Sequence, residues 1–379
     1  MYQGPFYRYN IPVLNDCIRA CIASANEYRC EIKYALKANN EKRILEEIKK
    51  KGLGIDCVSA EEIEFALELG WSPSSIVFAG SGKTIREIQY ALENNIGYIH
   101  CESTEEYHII VKTKFKINST TKIALRINPD LKVDSHEKIS TGEKHHKFGM
   151  AFNDALSIVQ NDHNIVGFHF HIGSQILNNS FFEDLSLKVR SLMERLPQDY
   201  QLKYLNLGGG LGINYSQPEK NLIPDFNGWM KALRTHLPVS FIDTITLEPG
   251  RSIVGQCGQL VGEVQYIKNI ETCPTAILDV GMTELLRPAL YGARHKITTN
   301  NESLVTYEYT VSGPSCESSD TFGTGFKLPI LTPGDLITIH STGAYGSSMR
   351  LSYNLKRPLP IQYIEKPVNT IFKSIKLTA

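Results

Sequence analysis

The sequence predicts a (β/α)8 barrel followed by a β domain, and three observations carry that reading. From residue 31 to about residue 250, short β-rich runs alternate with polar, helix-like stretches. After Arg251 the texture changes to extended runs separated by Pro, Gly and Asn turns. The N-terminal PFYRYNIPV is also extended, so it is expected to return to the β domain instead of joining the barrel. The expected division is an extended segment over residues 1–20, a barrel over 21–255 and a β domain over 256–379.

The barrel strands are read, in order, from EIKYALKAN, LGIDCVS, SIVFAG, GYIHCES, KIALRINP, IVGFHFHIGS, KYLNLGGG and TITLEPG. Segments such as AEEIEFALELG and TIREIQYALENN separate them. In these, apolar residues recur three and four apart and a glycine or asparagine ends the pattern, as on a helix with one buried face. The second domain is read from QLVGEVQYIK, TAILDVG, SLVTYEYTVS, DLITIHSTG and IQYIEK, mostly antiparallel.

Composition narrows the function classes. Lys+Arg and Asp+Glu stand at 40 each, so the basic footprint of a nucleic-acid binder is missing and a small-molecule partner is favoured. No stretch approaches the roughly 18 to 20 apolar residues that span a bilayer, and the N-terminus lacks a secretory pattern, so a cytoplasmic protein is expected. Eight cysteines without a CxxC or paired spacing read as reduced structural thiols.

A barrel of this kind carries its chemistry at the C-terminal ends of its strands. There the sequence places Lys37, Asp56 with Ser59, Arg126 with Asn128, His171 with Ser174, the triplet Gly208, Gly209 and Gly210, and Glu248 with Gly250 and Arg251. The glycine triplet permits a sharp turn that aims backbone N–H groups at an anion, with Arg251 completing the cradle. Taken singly, each has a plainer reading: a solvated lysine, a tight turn, a structural histidine, a Glu248–Arg251 salt bridge. Together they match what pyridoxal phosphate requires: a lysine to carry it, a phosphate cradle, a carboxylate to keep its pyridine nitrogen protonated, and a flat group on the ring.

The motifs YALKAN, KISTGEKHHKFGM, GFHFHIGSQI, LNLGGGLGINY, LEPGR, DVGMTELLRPALYGARH, GPSCESSD and GAYGSSMRLSYN occur in that order over nearly the whole chain. In this they resemble the diaminopimelate decarboxylases, within the alanine-racemase-like (fold type III) pyridoxal phosphate enzymes. The resemblance implies that Lys37 carries the cofactor, His171 lies against its ring and Glu248 meets its pyridine nitrogen. It implies Gly208, Gly209, Gly210, Ser174, Arg251 and Tyr345 near the phosphate or substrate, with Asp56 and Gly250 in the same cofactor pocket. Arg251, Arg287, Tyr291, Glu317 and Tyr345 are expected around the substrate's distal end. Cys316 and Glu317 are expected to reach across a homodimer interface into a shared site. Cys316 is a candidate proton donor, with Lys37 and water as rivals. The implied reaction is decarboxylation of meso-2,6-diaminopimelate at its D-centre, giving L-lysine.

Three other functions compete. Another basic amino-acid decarboxylase of the same fold, acting on ornithine, lysine, arginine or carboxynorspermidine, is opposed by Arg287 and HIGSQ. A racemase is opposed by Glu248, because an arginine at that place favours an unprotonated ring. A pyridoxal phosphate carrier would not need the second domain with CESSD and GAYG. FAGSGKT is not a phosphate-binding P-loop, since Val77 stands where its first glycine belongs. His136, His145 and His146 lack a rigid metal-ligand spacing, so no metal is expected. Cys17 and Cys21, one helical turn apart, read as one buried face.

Overall fold

Runs of three to six residues, mostly apolar, become barrel strands here because both faces of each run are covered. The computed structural model describes residues 2–131, 147–162, 164–269 and 273–366. The chain opens with β1 (Phe6–Asn10) and α1 (Ile11–Glu27), followed by β2 (Cys30–Ala35) and α2 (Lys42–Lys50). Next come β3 (Gly54–Cys57), α3 (Ala60–Glu68), β4 (Ile76–Phe78), α4 (Ile85–Glu93), β5 (Tyr98–Cys101) and α5 (Thr104–Ile117). Then follow β6 (Lys122–Arg126), α6 (Phe152–Asn161), β7 (Ile165–His169), α7 (Ser180–Met193), β8 (Tyr204–Asn206), α8 (Phe226–Arg234) and β9 (Ile245–Leu247). Strands β2 to β9 close into one parallel barrel, each beside its sequence neighbour and β2 beside β9. The eight expected runs are the eight barrel strands.

The helices start where short polar side chains replace missing backbone partners. Ser59 accepts from the Glu62 N–H ahead of α3, and Ser103 accepts from the Glu106 N–H ahead of α5. Thr84 and Glu87 form a reciprocal capping box at α4. Each such cap contributes about 1 kcal/mol and sets where the chain leaves a strand's C-terminal end. On α2, Ile44, Leu45 and Ile48 are completely buried, and each contributes about 2 kcal/mol against the barrel wall.

The second domain contains β10 (Gly258–Lys268), β11 (Thr275–Leu278), β12 (Ile297–Thr299), β13 (Thr306–Ser312), β14 (Thr321–Pro329), β15 (Leu336–His340) and β16 (Ile361–Ile364). Two short helices, α9 (Arg251–Val254) and α10 (Arg287–Tyr291), border the barrel mouth. The sheet order is β12-β15-β10-β11-β13-β14, and β1 lies between β10 and β16, antiparallel to the first and parallel to the second. The extended segment expected over residues 1–20 is a strand only as far as Asn10. Asn10 then caps α1 by accepting from the Val13 N–H, and Pro12 suits the first helical turn because no N–H partner is needed there. Cys17 and Cys21 are both fully buried on that helix.

The two domains meet beside Lys37. The Tyr345 N–H donates to the Ala38 carbonyl at 2.7 Å, and Asn39 Nδ2 donates to the Gly343 carbonyl at 2.8 Å. Tyr345 adopts a left-handed backbone with φ of 56°, a conformation costly for a side chain of this size. That strain is held at the site by the contact with Ala38. Among the described residues no helix is long and apolar enough to cross a membrane.

Candidate active site

The C-terminal ends of the barrel strands enclose a cavity of about 380 Å3. Lys37, Asp56, Arg126, His171, Ser174, Gly210, Glu248, Gly250, Arg251, Tyr291 and Tyr345 line it, so eleven residues singled out in the sequence converge on one space.

Lys37 sits in a single helical turn directly after β2 and lies 3.4 Å from Asp56 Oδ2. Its side chain is 42% accessible because it opens into the cavity, whereas Asp56 is 1% accessible. Burial works against the ammonium, but the charge of Asp56 and those of Tyr345 and Glu248 outweigh it and hold the lysine above its ordinary range. Asp56 is pushed above the usual carboxylate range, first by burial and then by Glu248, against the pull of Lys37. Its Oδ1 is buried with no hydrogen-bond partner among the described residues.

Glu248 follows β9 and is 7% accessible. Its Oε1 accepts from Asn206 Nδ2 at 2.6 Å, and His169 Nε2 lies 3.2 Å from Oε2. The Glu248–Arg251 salt bridge of the plain reading is not formed. Arg251 instead donates to Ser174 Oγ at 3.0 Å and to the Tyr215 hydroxyl at 2.5 Å, with its guanidinium 4.8 Å over the Tyr345 ring. His171 accepts at Nδ1 from the Gly209 N–H at 3.1 Å, which puts the proton of the neutral ring on Nε2. Burial first, then the Arg126 and Lys37 cations, keep that ring neutral.

The glycine triplet departs from the anion cradle expected of it. The Gly208 N–H donates to Asn206 Oδ1 at 2.8 Å and the Gly209 N–H to His171. Both amides are thus used inside the protein, and of the three only Gly210 lines the cavity. Glycine is nonetheless required: a Cβ on Gly208 would come within 2.4 Å of His171 Nδ1, and one on Gly209 within 2.2 Å of the Glu248 carbonyl oxygen. The triplet lets the backbone after β8 pass against the His171 ring and the Glu248 main chain.

Arg287 stands behind the cavity wall. It is 4% accessible, donates to His295 Nε2 at 2.8 Å, and packs 4.4 Å over the Tyr215 ring. Its Nε is buried with no partner among the described residues. Cys316 and Glu317 lie outside the cavity lining; both are exposed, and Glu317 accepts from the Tyr353 hydroxyl at 2.7 Å. Tyr215, which ties Arg251 to Arg287, carries no sequence mark of a functional residue although it closes LNLGGGLGINY. Its signal was position alone, a few residues past the glycine turn. Lys83 of FAGSGKT is buried and donates to the Gly80 and His100 carbonyls and to Glu106, which leaves it no phosphate to hold. His136, His145 and His146 lie outside the described residues.

A lysine amine, a buried carboxylate and an imidazole gathered at the mouth of a parallel barrel define a barrel-type pyridoxal phosphate enzyme. Residues 14–255 match the pyridoxal binding domain of the pyridoxal-dependent decarboxylases. The chain is 39% identical to the diaminopimelate decarboxylase of Bacteroides thetaiotaomicron over 95% of both chains. It is 36% identical to that of Zymomonas mobilis, covering 94% of this chain and 86% of the other. The crystal structure of diaminopimelate decarboxylase from Helicobacter pylori complexed with L-lysine superposes with a TM-score of 0.89 at 36% identity, covering 96% of this chain and 92% of the other. The chain belongs to the diaminopimelate decarboxylase family, and its cofactor is pyridoxal phosphate. The site fits that group: an amine opens into the cavity, an acid faces it, and the orphaned Asp56 Oδ1 awaits a donor.

Proposed function

We propose that this chain removes the carboxylate at the D-centre of meso-2,6-diaminopimelate, releasing carbon dioxide and leaving L-lysine. The observation that carries this reading is that Lys37 and Glu248 line the same cavity from the first and last strands of the barrel. Pyridoxal phosphate, when bound, supplies a sink for the electron pair of the breaking bond. Lys37 holds it covalently. Glu248 keeps a proton on the ring nitrogen, because a carboxylate favours the cationic ring. His171, which lines the same cavity, would pack against the ring and, being neutral, would not compete for the charge of Glu248. Gly210, Gly250, Ser174 and Arg251 hold the phosphate end, with Tyr345 beside them.

Tyr291 lines the cavity at the end we assign to the distal part of the substrate, and Arg287 backs the wall there with its charge, its buried Nε without a partner among the described residues. A substrate ending in a plain amine would leave that guanidinium unmatched, so the pocket selects by penalty as well as by contact. Carbon dioxide release from meso-diaminopimelate is therefore expected to exceed release from lysine, ornithine or arginine by at least a hundredfold in kcat/KM, on the order of a missing charge-assisted contact. Equal or faster release from ornithine or lysine would remove the distal assignment and leave the cofactor assignment standing.

Cys316 and Glu317 do not line the cavity of their own chain, and we assign them to the site of a second copy in a homodimer. Light scattering is expected to give a dimer, and mixing Lys37→Ala with Glu317→Ala protein is expected to restore activity that neither has alone. A fully active monomer would rule out shared sites. All eight cysteines are unpaired, which fits a reducing compartment, and we place the enzyme in the cytoplasm.

A further inference from the structure

Glu248 belongs to a buried polar cluster that the cofactor assignment does not explain. Asn206 Oδ1 accepts from the Gly208 N–H at 2.8 Å, which fixes the side-chain amide with Nδ2 on the other side. That Nδ2 donates to the Tyr204 hydroxyl at 2.9 Å as well as to Glu248 Oε1 at 2.6 Å. The Tyr204 hydroxyl, which accepts from Asn206, lies 3.1 Å from His100 Nε2, close enough to give its own proton to that nitrogen. With the proton placed that way His100 accepts at Nε2 and its own proton falls on Nδ1, an atom that is buried, has no hydrogen-bond partner among the described residues, and lies 3.8 Å from Glu248 Oε1. His169 approaches the other carboxylate oxygen with Nε2, so its proton sits there and its buried Nδ1 is bare. The two imidazoles stack with centroids 4.2 Å apart and planes 21° from parallel.

A carboxylate that must stabilise a cationic ring nitrogen has to be held in place without a rival cation, because a neighbouring positive charge would take a share of its field. Neutral N–H donors meet that need. We propose that His100 is a positioning residue for Glu248: the Asn206–Tyr204 relay locks it as the neutral Nδ1–H tautomer, and with His169 it aims the carboxylate while reserving its charge for the cofactor. This inference rests on the pyridoxal phosphate reading of the site, but the state of the imidazoles can be read without cofactor. The charged or titratable groups around the stack are Glu248 beyond β9, Tyr204 on β8, Lys83, Arg126 at the end of β6 and Lys37. Burial first, and the Lys83 and Arg126 cations with it, favour the neutral form of both rings. Glu248 opposes them at His100.

The test is long-range 1H–15N correlation on 15N-histidine-labelled protein, with and without cofactor, the signals assigned by loss in His100→Phe and His169→Phe. His100 is expected as Nδ1–H and His169 as Nε2–H, both neutral from pH 6 to pH 9. His100 as Nε2–H, or either ring cationic at pH 7, overturns the proposal whatever the cofactor does. His100→Phe keeps the ring volume and the stack but removes the polar N–H edge that faces the carboxylate. It is expected to retain covalently bound cofactor, shift the 15N resonance of labelled cofactor's ring nitrogen toward the unprotonated value, and lower kcat about tenfold with KM unchanged. His100→Asn, whose amide nitrogen falls near the place of Nδ1, is expected to recover most of the loss; a packing role would predict the reverse order. Should His100→Phe fail to fold, Tyr204→Phe leaves every ring in place and is expected to mix the His100 tautomers. A wild-type tautomer in that variant would also overturn the relay.

Discussion

Lys37→Ala is expected to abolish covalent retention of pyridoxal phosphate and to lower kcat by roughly a thousandfold or more. Borohydride, which reduces a carbon–nitrogen double bond to a single bond, is expected to add cofactor mass to the wild-type chain and none to the variant. Among the described residues no other buried lysine can substitute. Lys83 is committed to two carbonyls and Glu106, and Lys33 is 2% accessible and paired with Glu31 at 2.6 Å. Among the described residues, Lys37 is the lysine whose amine opens into the cavity. The fold should survive the change. Asp56 loses its cation, but burial already pushes that carboxyl upward, so it can take a proton instead of standing as a bare buried charge. A variant that kept the reduced adduct on another residue would show that the amine has been misassigned.

The parts of this site that can be read along the chain are those set by one strand and its exit. Lys37, His171 and Glu248 each follow a short β-rich run and Asp56 sits near the C-terminal end of one, and a barrel brings such exits to one face whatever the loops do. The eight strands are legible for the same reason, since each is a brief apolar run between a glycine or asparagine stop and a polar helix start. The support beneath Glu248 is not legible in that way. His100, His169, Tyr204 and Asn206 come from three strands and become a cluster only when the barrel closes with Tyr98 stacked 3.9 Å on Tyr204 and His100 on His169. Each of them, read singly, is an ordinary core residue. The glycine triplet is legible only in part. Its sequence suggests freedom to bind an anion, yet two of its amides are required to lock Asn206 and His171. The start of α1 was masked by Pro12, which reads as extended until Asn10 is seen to cap the turn.

Glu248→Gln is expected to lower kcat by a factor of about a hundred to a thousand, the range found when one electrostatic contact at a developing charge is removed. The substitution keeps the volume of the side chain. Its amide oxygen can still accept from Asn206 or His169, so the loss falls on charge alone. The cofactor should remain attached through Lys37, with its absorbance band present and its ring nitrogen unprotonated by 15N resonance. The pH dependence follows from the sign of the effect. Without the carboxylate the ring nitrogen's affinity for a proton falls, so the protonated fraction must come from solution and grows as pH drops. The variant's kcat is expected to rise toward acid pH over a range in which the wild type is flat. The same change relaxes Asp56, because one of the charges pushing its carboxyl upward is gone. Glu248→Arg should be worse than Gln on both counts. It would bury a cation near His100, His169 and Lys37, and it would favour the unprotonated ring. Fast decarboxylation in either variant, with the ring nitrogen still protonated, would mean that some other group holds that proton and that the cluster beneath Glu248 serves packing alone.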